Sequence, residues 1–151
     1  TPQPGGFAHF RRYAAAAIAS VGRAQLLAGV THGQSGVAAP SVVTRYTFWW
    51  AGVRYAITPY LQAVGAFYYE DIRAQNAPNA QTPTPHPANP QQVTLQLNYF
   101  LSKAVTLYLA GGYARRAALD FDDYNYNFLH YTLAAGRAGS AGAALGLRKL
   151  F

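Results

Sequence analysis

Few residues in this chain have side chains suited to chemistry, and their spacing decides which chemistry is open to them. Glu70 and Asp71 are adjacent carboxylates. A glycosidase pair must hold its two carboxyls ~5–9.5 Å apart across one bound sugar. Neighbours on a strand point to opposite faces, so these two diverge and read as charges at the base of a loop. Asp120-Phe121-Asp122-Asp123-Tyr124-Asn125-Tyr126-Asn127 gathers acidic and amide groups. It lacks the glycine and terminal glutamate of a calcium loop and reads as a solvated surface loop. His32 and Ser35 have no nucleophile elbow, oxyanion signature or third partner. Cysteine is absent and the four histidines are scattered, so no metal site or thiolate chemistry is expected. Neither a catalytic residue nor a cofactor is predicted.

The cations tell more. Twelve Lys and Arg stand against five Asp and Glu, a net charge of +7. They never run longer than two and match no nucleic-acid motif, so a nucleic-acid partner is not expected. Hydrophobic residues are 51% of the chain, aromatics 15% and charged residues only 11%. So low a charge excludes disorder and fits a soluble enzyme poorly. The longest largely apolar stretch, Tyr13 to Val21, is too short for the ~20 residues of a membrane helix. Methionine is absent, and no leader is visible before Thr1-Pro2-Gln3-Pro4; the chain reads as a processed product or a fragment, and as one domain over residues 1–151.

What positions these residues is a two-residue period. Gln92-Val93-Thr94-Leu95-Gln96-Leu97-Asn98-Tyr99 alternates polar and apolar without an error, a strand with one wet and one apolar face. Ser102-Lys103-Ala104 turns it into Val105 to Tyr113. Tyr46 to Ile57 and Leu61 to Ile72 are joined in the same way at Thr58-Pro59, and Arg12 to Ser20 and Gln25 to His32 at Val21-Gly22-Arg23. Ala141 to Phe151 is the seventh strand. Four consecutive alanines, Ala14 to Ala17, favour helix by propensity; strand is expected there from the neighbouring pattern. Two hairpins repeat 44 residues apart, Tyr55 with Tyr69 and Tyr99 with Tyr113.

Connections alternate between tight turns and long polar loops: Gly33 to Thr44, the Pro-rich Arg73 to Pro90, and Ala117 to Ser140. Short turns on one side and long loops on the other are the pattern of a transmembrane β-barrel, whose strands must pair completely in lipid. The fold class expected is therefore all-β, a transmembrane antiparallel meander barrel of about seven strands. The pore-lining set is Arg12, Arg54, Gln62, Tyr68, Glu70, Gln92, Thr94, Gln96, Asn98, Tyr108, Arg116 and Arg148. The aromatic girdles are Tyr55, Tyr99 and Phe151 at one boundary, and Tyr13, Tyr69 and Tyr113 at the other. A soluble β-sandwich also alternates, but leaves the low charge and two-tier tyrosines unexplained. Inward arginines against one inward carboxylate, Glu70, would favour anions; alternatively they only keep the lumen wet.

The last eight residues, Ala144-Leu145-Gly146-Leu147-Arg148-Lys149-Leu150-Phe151, resemble the terminal strand of Gram-negative trimeric porins, especially the general porins of β-proteobacteria. Tyr13 to His32, Trp50-Ala51-Gly52-Val53-Arg54-Tyr55-Ala56-Ile57-Thr58-Pro59, and Asn98-Tyr99-Phe100-Leu101-Ser102-Lys103 on to Gly112-Tyr113 match in order. Lys149 in the lipid phase, Leu150 in the lumen phase and an Ala-rich first hairpin depart from the pattern. The resemblance implies the C-terminal part of a barrel of about sixteen strands, without the family's constriction loop. It implies a homotrimer in the outer membrane, passive diffusion of small hydrophilic solutes and ions, and recognition of Phe151 by the outer-membrane assembly machinery. The rival is a self-contained eight-stranded barrel, residues near Phe7 to Phe10 adding a strand, that serves as anchor or adhesin.

Overall fold

The structure, a computed structural model, describes residues 9–36, 44–75, 89–117, 119 and 136–150. Seven strands run in chain order: β1 His9–Val21, β2 Ala24–Gly36, β3 Thr44–Ala56, β4 Leu61–Gln75, β5 Gln91–Phe100, β6 Val105–Arg115 and β7 Gly139–Lys149. They form one antiparallel meander sheet in which every neighbour in sequence is a neighbour in space. No helix occurs among the described residues. The alanine run is strand throughout, with Ala14 to Ala17 paired to Thr31 through Ala28: the ladder overrides propensity. The sheet is open in this structure, so β1 and β7 are its two edges.

Three turns set the register. Thr58 Oγ1 accepts from the N–H groups of Tyr60 (3.2 Å) and Leu61 (3.0 Å), while Ile57 and Thr58 donate to the Leu61 carbonyl. Forty-four residues on, Ser102 Oγ accepts from Ala104 (3.2 Å) and Val105 (3.1 Å), and Leu101 and Ser102 donate to the Val105 carbonyl. The sequence repeat is thus one turn chemistry used twice, a hydroxyl substituting for a backbone acceptor. Each turn is also docked to the following strand, by Phe100 N–H to Tyr60 O and by Leu150 N–H to Ala104 O. The first turn instead carries Gly22 at φ +58, a left-handed conformation that glycine adopts without strain.

Register divides the side chains cleanly. The outer face, named here for the apolar side chains it exposes, holds Tyr13, Trp49, Val53, Tyr55, Phe67, Val93, Leu95, Leu97, Tyr99, Leu107, Leu109, Tyr113, Leu145 and Leu147, all exposed. The inner face holds Arg12, Arg54, Gln62, Tyr68, Glu70, Gln92, Thr94, Gln96, Asn98, Tyr108 and Arg148, in matching phase through all six strand pairs.

Loss of the turn hydroxyls has a measurable cost. Thr58→Ala and Ser102→Ala should each lower the unfolding free energy by about 1 kcal/mol, and by the sum when combined, because they act in separate hairpins. Thr58→Ser and Ser102→Thr should change nothing. Denaturant titration followed by circular dichroism reads all of these.

Candidate functional site

The inner face is two surfaces. Toward the short turns it is polar: Gln96 Nε2 donates to Asn98 Oδ1 (2.6 Å), and Asn98 Nδ2 donates to Gln62 Oε1 (3.3 Å). Arg54 Nη1 donates to Gln25 Oε1 (3.0 Å). Arg54 and Arg148 are exposed, while Asn98 and Thr106 are buried. Toward the long loops it is apolar, with Tyr46, Phe48, Ile72, Ala114 and Ala117 forming a buried cluster against Trp50, Tyr68 and Leu119. Phe48 and Tyr68 stack at 6.1 Å. Sequence reasoning missed this half. Thr44 to Trp50 carries aromatics in both phases, so alternation cannot mark which of them point inward.

Rings on the inner face lie over glycines of the adjacent strand. A Cβ at Gly29 would fall on the Trp50 ring, at Gly33 on Tyr46, and at Gly146 on Tyr108. Each glycine is the ring's direct cross-strand partner. The rings can therefore lie flat along the sheet instead of standing away from it. Leu119 covers Gly112 and Gly142 in the same way, with its N–H on Ser140 Oγ at 2.9 Å.

Several expectations change here. Glu70, read as a wet charge at a loop base, has no exposed surface; it sits opposite Phe48, and its N–H bonds to Pro90 O. Asp71 takes the other face, bound to Arg73 at 2.9 Å. His32 also lies on the outer face, its Nδ1 3.1 Å from Thr47 Oγ1, while the Ser35 backbone pairs with Thr44. Arg116 follows the end of β6 at φ 63, so strand alternation does not reach it. The acidic segment from Asp120 to Asn127, most of the Pro-rich loop, and Phe151 lie outside the described residues.

The arginines make no single ring along one row of the ladder, yet level positions are not rows. Tyr113 pairs through Val93 with Phe67, two residues from Tyr69; Tyr69 pairs through Trp49 and Val30 with Ala15, two residues from Tyr13. Tyr55 pairs through Ala63 with Leu97, again two residues from Tyr99. Both tyrosine lines descend toward the short turns in going from β1 to β7, by about one residue per strand. With ~3.3 Å per residue and ~4.8 Å between strands, that slope is about 30°. Along the same slope Arg54, Asn98, Tyr108 and Arg148 fall at one height, beside the Tyr55–Tyr99 line. Arg12 lies at the opposite end of the sheet, one residue from Tyr13.

The glycine–ring contacts give a clean test. Gly29→Val and Gly146→Val should each destabilise the fold by about 1–3 kcal/mol through overpacking. Gly111→Ala on the outer face, where the new Cβ would meet nothing nearer than 3.8 Å, should be close to neutral. Pairing Gly29→Val with Trp50→Ala should cost less than the sum of the two, read by the same denaturant titration. Comparison with known protein families and with curated proteins finds no match to this chain.

Proposed function

We propose that this sheet is part of the wall of a β-barrel in a Gram-negative outer membrane, a porin that passes small hydrophilic solutes and ions by diffusion and without chemistry. The observation that carries the reading is the outer face. Leu95 is 64% exposed, Leu109 53% and Leu145 72%. Among the described residues no charge lies on the face between the Tyr13–Tyr69–Tyr113 line and the Tyr55–Tyr99 line, with Lys149 level with the latter. Those lines stand about seven residues apart, ~23 Å along a strand and ~20 Å along the normal of a bilayer crossed at that slope, near the apolar band height of such barrels. Strands in barrels tilt by a comparable angle. Water would penalise so broad an apolar face; lipid would not. The two open edges need partners, from β1 meeting β7 or from further strands, because unpaired edges do not persist in hydrocarbon.

Flat rings over glycine and the polar belt of Arg54, Asn98, Tyr108 and Arg148 suit a passage lined with water. The buried cluster around Tyr46, Phe48 and Ile72 favours a second reading, a small barrel filled by side chains and acting as an anchor. Conductance separates the two. Reconstituted protein that inserts into planar bilayers and conducts is a channel; protein that inserts without conducting is the filled barrel.

Adjacent tryptophans test the membrane orientation. Trp49 is on the outer face and Trp50 on the inner. In vesicles of brominated phosphatidylcholine, Trp50→Phe protein should keep strong fluorescence quenching and Trp49→Phe protein should lose most of it. The reverse, or equal quenching, would rule out this orientation.

Selectivity follows from the belt. The channel should prefer chloride to potassium in a low-salt gradient, and Arg54→Gln with Arg148→Gln should move the reversal potential toward the cation side. The shift should fade near 1 M salt, where the Debye length is ~3 Å. An unmoved potential at low salt would exclude these arginines as the controlling charges.

A further inference from the structure

Chain polarity on the outer face changes in steps along β1 to β4. At the long-loop end one ladder row reads Arg11, Gln34, Arg45. Arg73 stands beside it, where a register shift follows Arg45, and is held outward by its bond to Asp71. The next row is Tyr13, His32, Thr47, Asp71, with His32 and Thr47 hydrogen-bonded. Below these the face falls into an apolar groove of about 470 Å³. Ala15, Ala17, Ala28 and Ala51 form its floor, and Trp49 and Phe67 form its side. The volume lies within the range of small-molecule sites.

We infer that this groove and the arginine row above it bind one phosphate-bearing acylated lipid of the long-loop leaflet, phosphate on the arginines and acyl chain in the groove. The inference rests on the membrane reading above. Three guanidiniums share the rim with a single carboxylate. Arg11 and Arg45 are two strands apart, ~10 Å between backbones, a span that long forked side chains can close on one phosphate. Hydroxyl and imidazole groups fill the intervening level, where a glycerol or sugar backbone would lie. Chemistry changes from cationic to polar to apolar in the order in which a lipid changes from head to tail. Basic pockets at the ends of membrane segments hold anionic headgroups in this way.

A second copy of the chain is the other candidate occupant. A two-fold axis along the membrane normal keeps each residue at its own height and brings the same patch of both copies together, so two copies meeting here in that way would set one arginine row against the other. In a heterologous contact the exposed leucines of β5 to β7 would face the groove at the same height, but the described outer face of those strands carries Arg115 and no carboxylate to meet the arginine row. Charge favours the lipid.

Trp49 reports on its own wall. In Trp50→Phe protein reconstituted in phosphatidylcholine with a minor fraction of brominated phosphatidylglycerol, quenching should exceed that from the same fraction of brominated phosphatidylcholine several-fold at low salt. Arg11→Gln with Arg45→Gln should abolish the difference while leaving quenching by the zwitterionic lipid intact, which also shows that the variant is inserted. Ala28→Phe, which fills the groove from its floor, should reduce quenching by both. Equal quenching by the two lipids would overturn the inference and leave the membrane reading standing. Absence of quenching by either would overturn both. Disulfide-linked dimers from Ala28→Cys protein would assign the groove to a second copy and overturn the lipid.

Discussion

Everything in this molecule depends on strand register. A strand with unlike faces cannot slip by one residue, because a slip sends every side chain to the opposite side. Here the error would carry Leu95 and Leu97 inward and Gln96 and Asn98 outward, along a face that otherwise holds no charge between its tyrosine lines. The turns prevent it. Thr58 and Ser102 each capture two N–H groups at the start of the returning strand, and each turn is bonded in addition to the end of the next hairpin. Hairpins are thereby locked internally and to one another, and the stagger that results carries the tyrosine lines across the sheet at a constant slope.

Much of this was legible in the sequence, for a physical reason. Where polar and apolar residues alternate without exception, as from Gln92 to Tyr99, phase is readable by eye; the strand, its neighbours and the inward set follow. Turn residues punctuate the pattern, so all seven strands and their order were foreseeable. Strand ends were not, since β2 runs four residues past His32, to Gly36, and β4 three past Ile72, to Gln75. Neither were the inward rings. Tyr46, Phe48 and Trp50 stand beside outward Trp49, and hydrophobicity is blind to direction when both phases are apolar. Arg116 failed for another reason: its positive φ is a backbone event at the end of β6 that no periodicity announces.

The inner face shows what alternation leaves out. Glycines 29, 33, 52, 112, 142 and 146 share the inner phase, while Gly65, Gly111 and Gly139 sit in the outer phase. Bulk on one face and glycine on the other relieves crowding on the inner side and lets the sheet curve toward it. Aromatic rings then cover the exposed glycine backbone across the ladder, and their apolar surface is removed from solvent at little cost in depth. On the inner face glycine placement and ring placement are one device, with Trp50, Tyr46 and Tyr108 each on its direct ladder partner.

Size also varies along the outer face. At mid-height along the slope of the tyrosine lines, β1 to β3 carry Ala15, Ala17, Ala28 and Ala51 beside Val30 and Trp49, whereas β5 to β7 carry Leu95, Leu97, Leu109 and Leu145 beside Gly111 and Ala143. Lipid alone asks only that such residues be apolar, and leucine satisfies that as well as alanine. The four alanines, walled by Trp49 and Phe67, remove volume where something bulky can approach the backbone. The same three strands bear Arg11, Gln34 and Arg45 at their loop end, where the described residues of β5 to β7 give Gln91, Arg115 and Gly139. Reduced bulk and added charge coincide on three of the seven strands, and a single occupant with an anionic end would account for both.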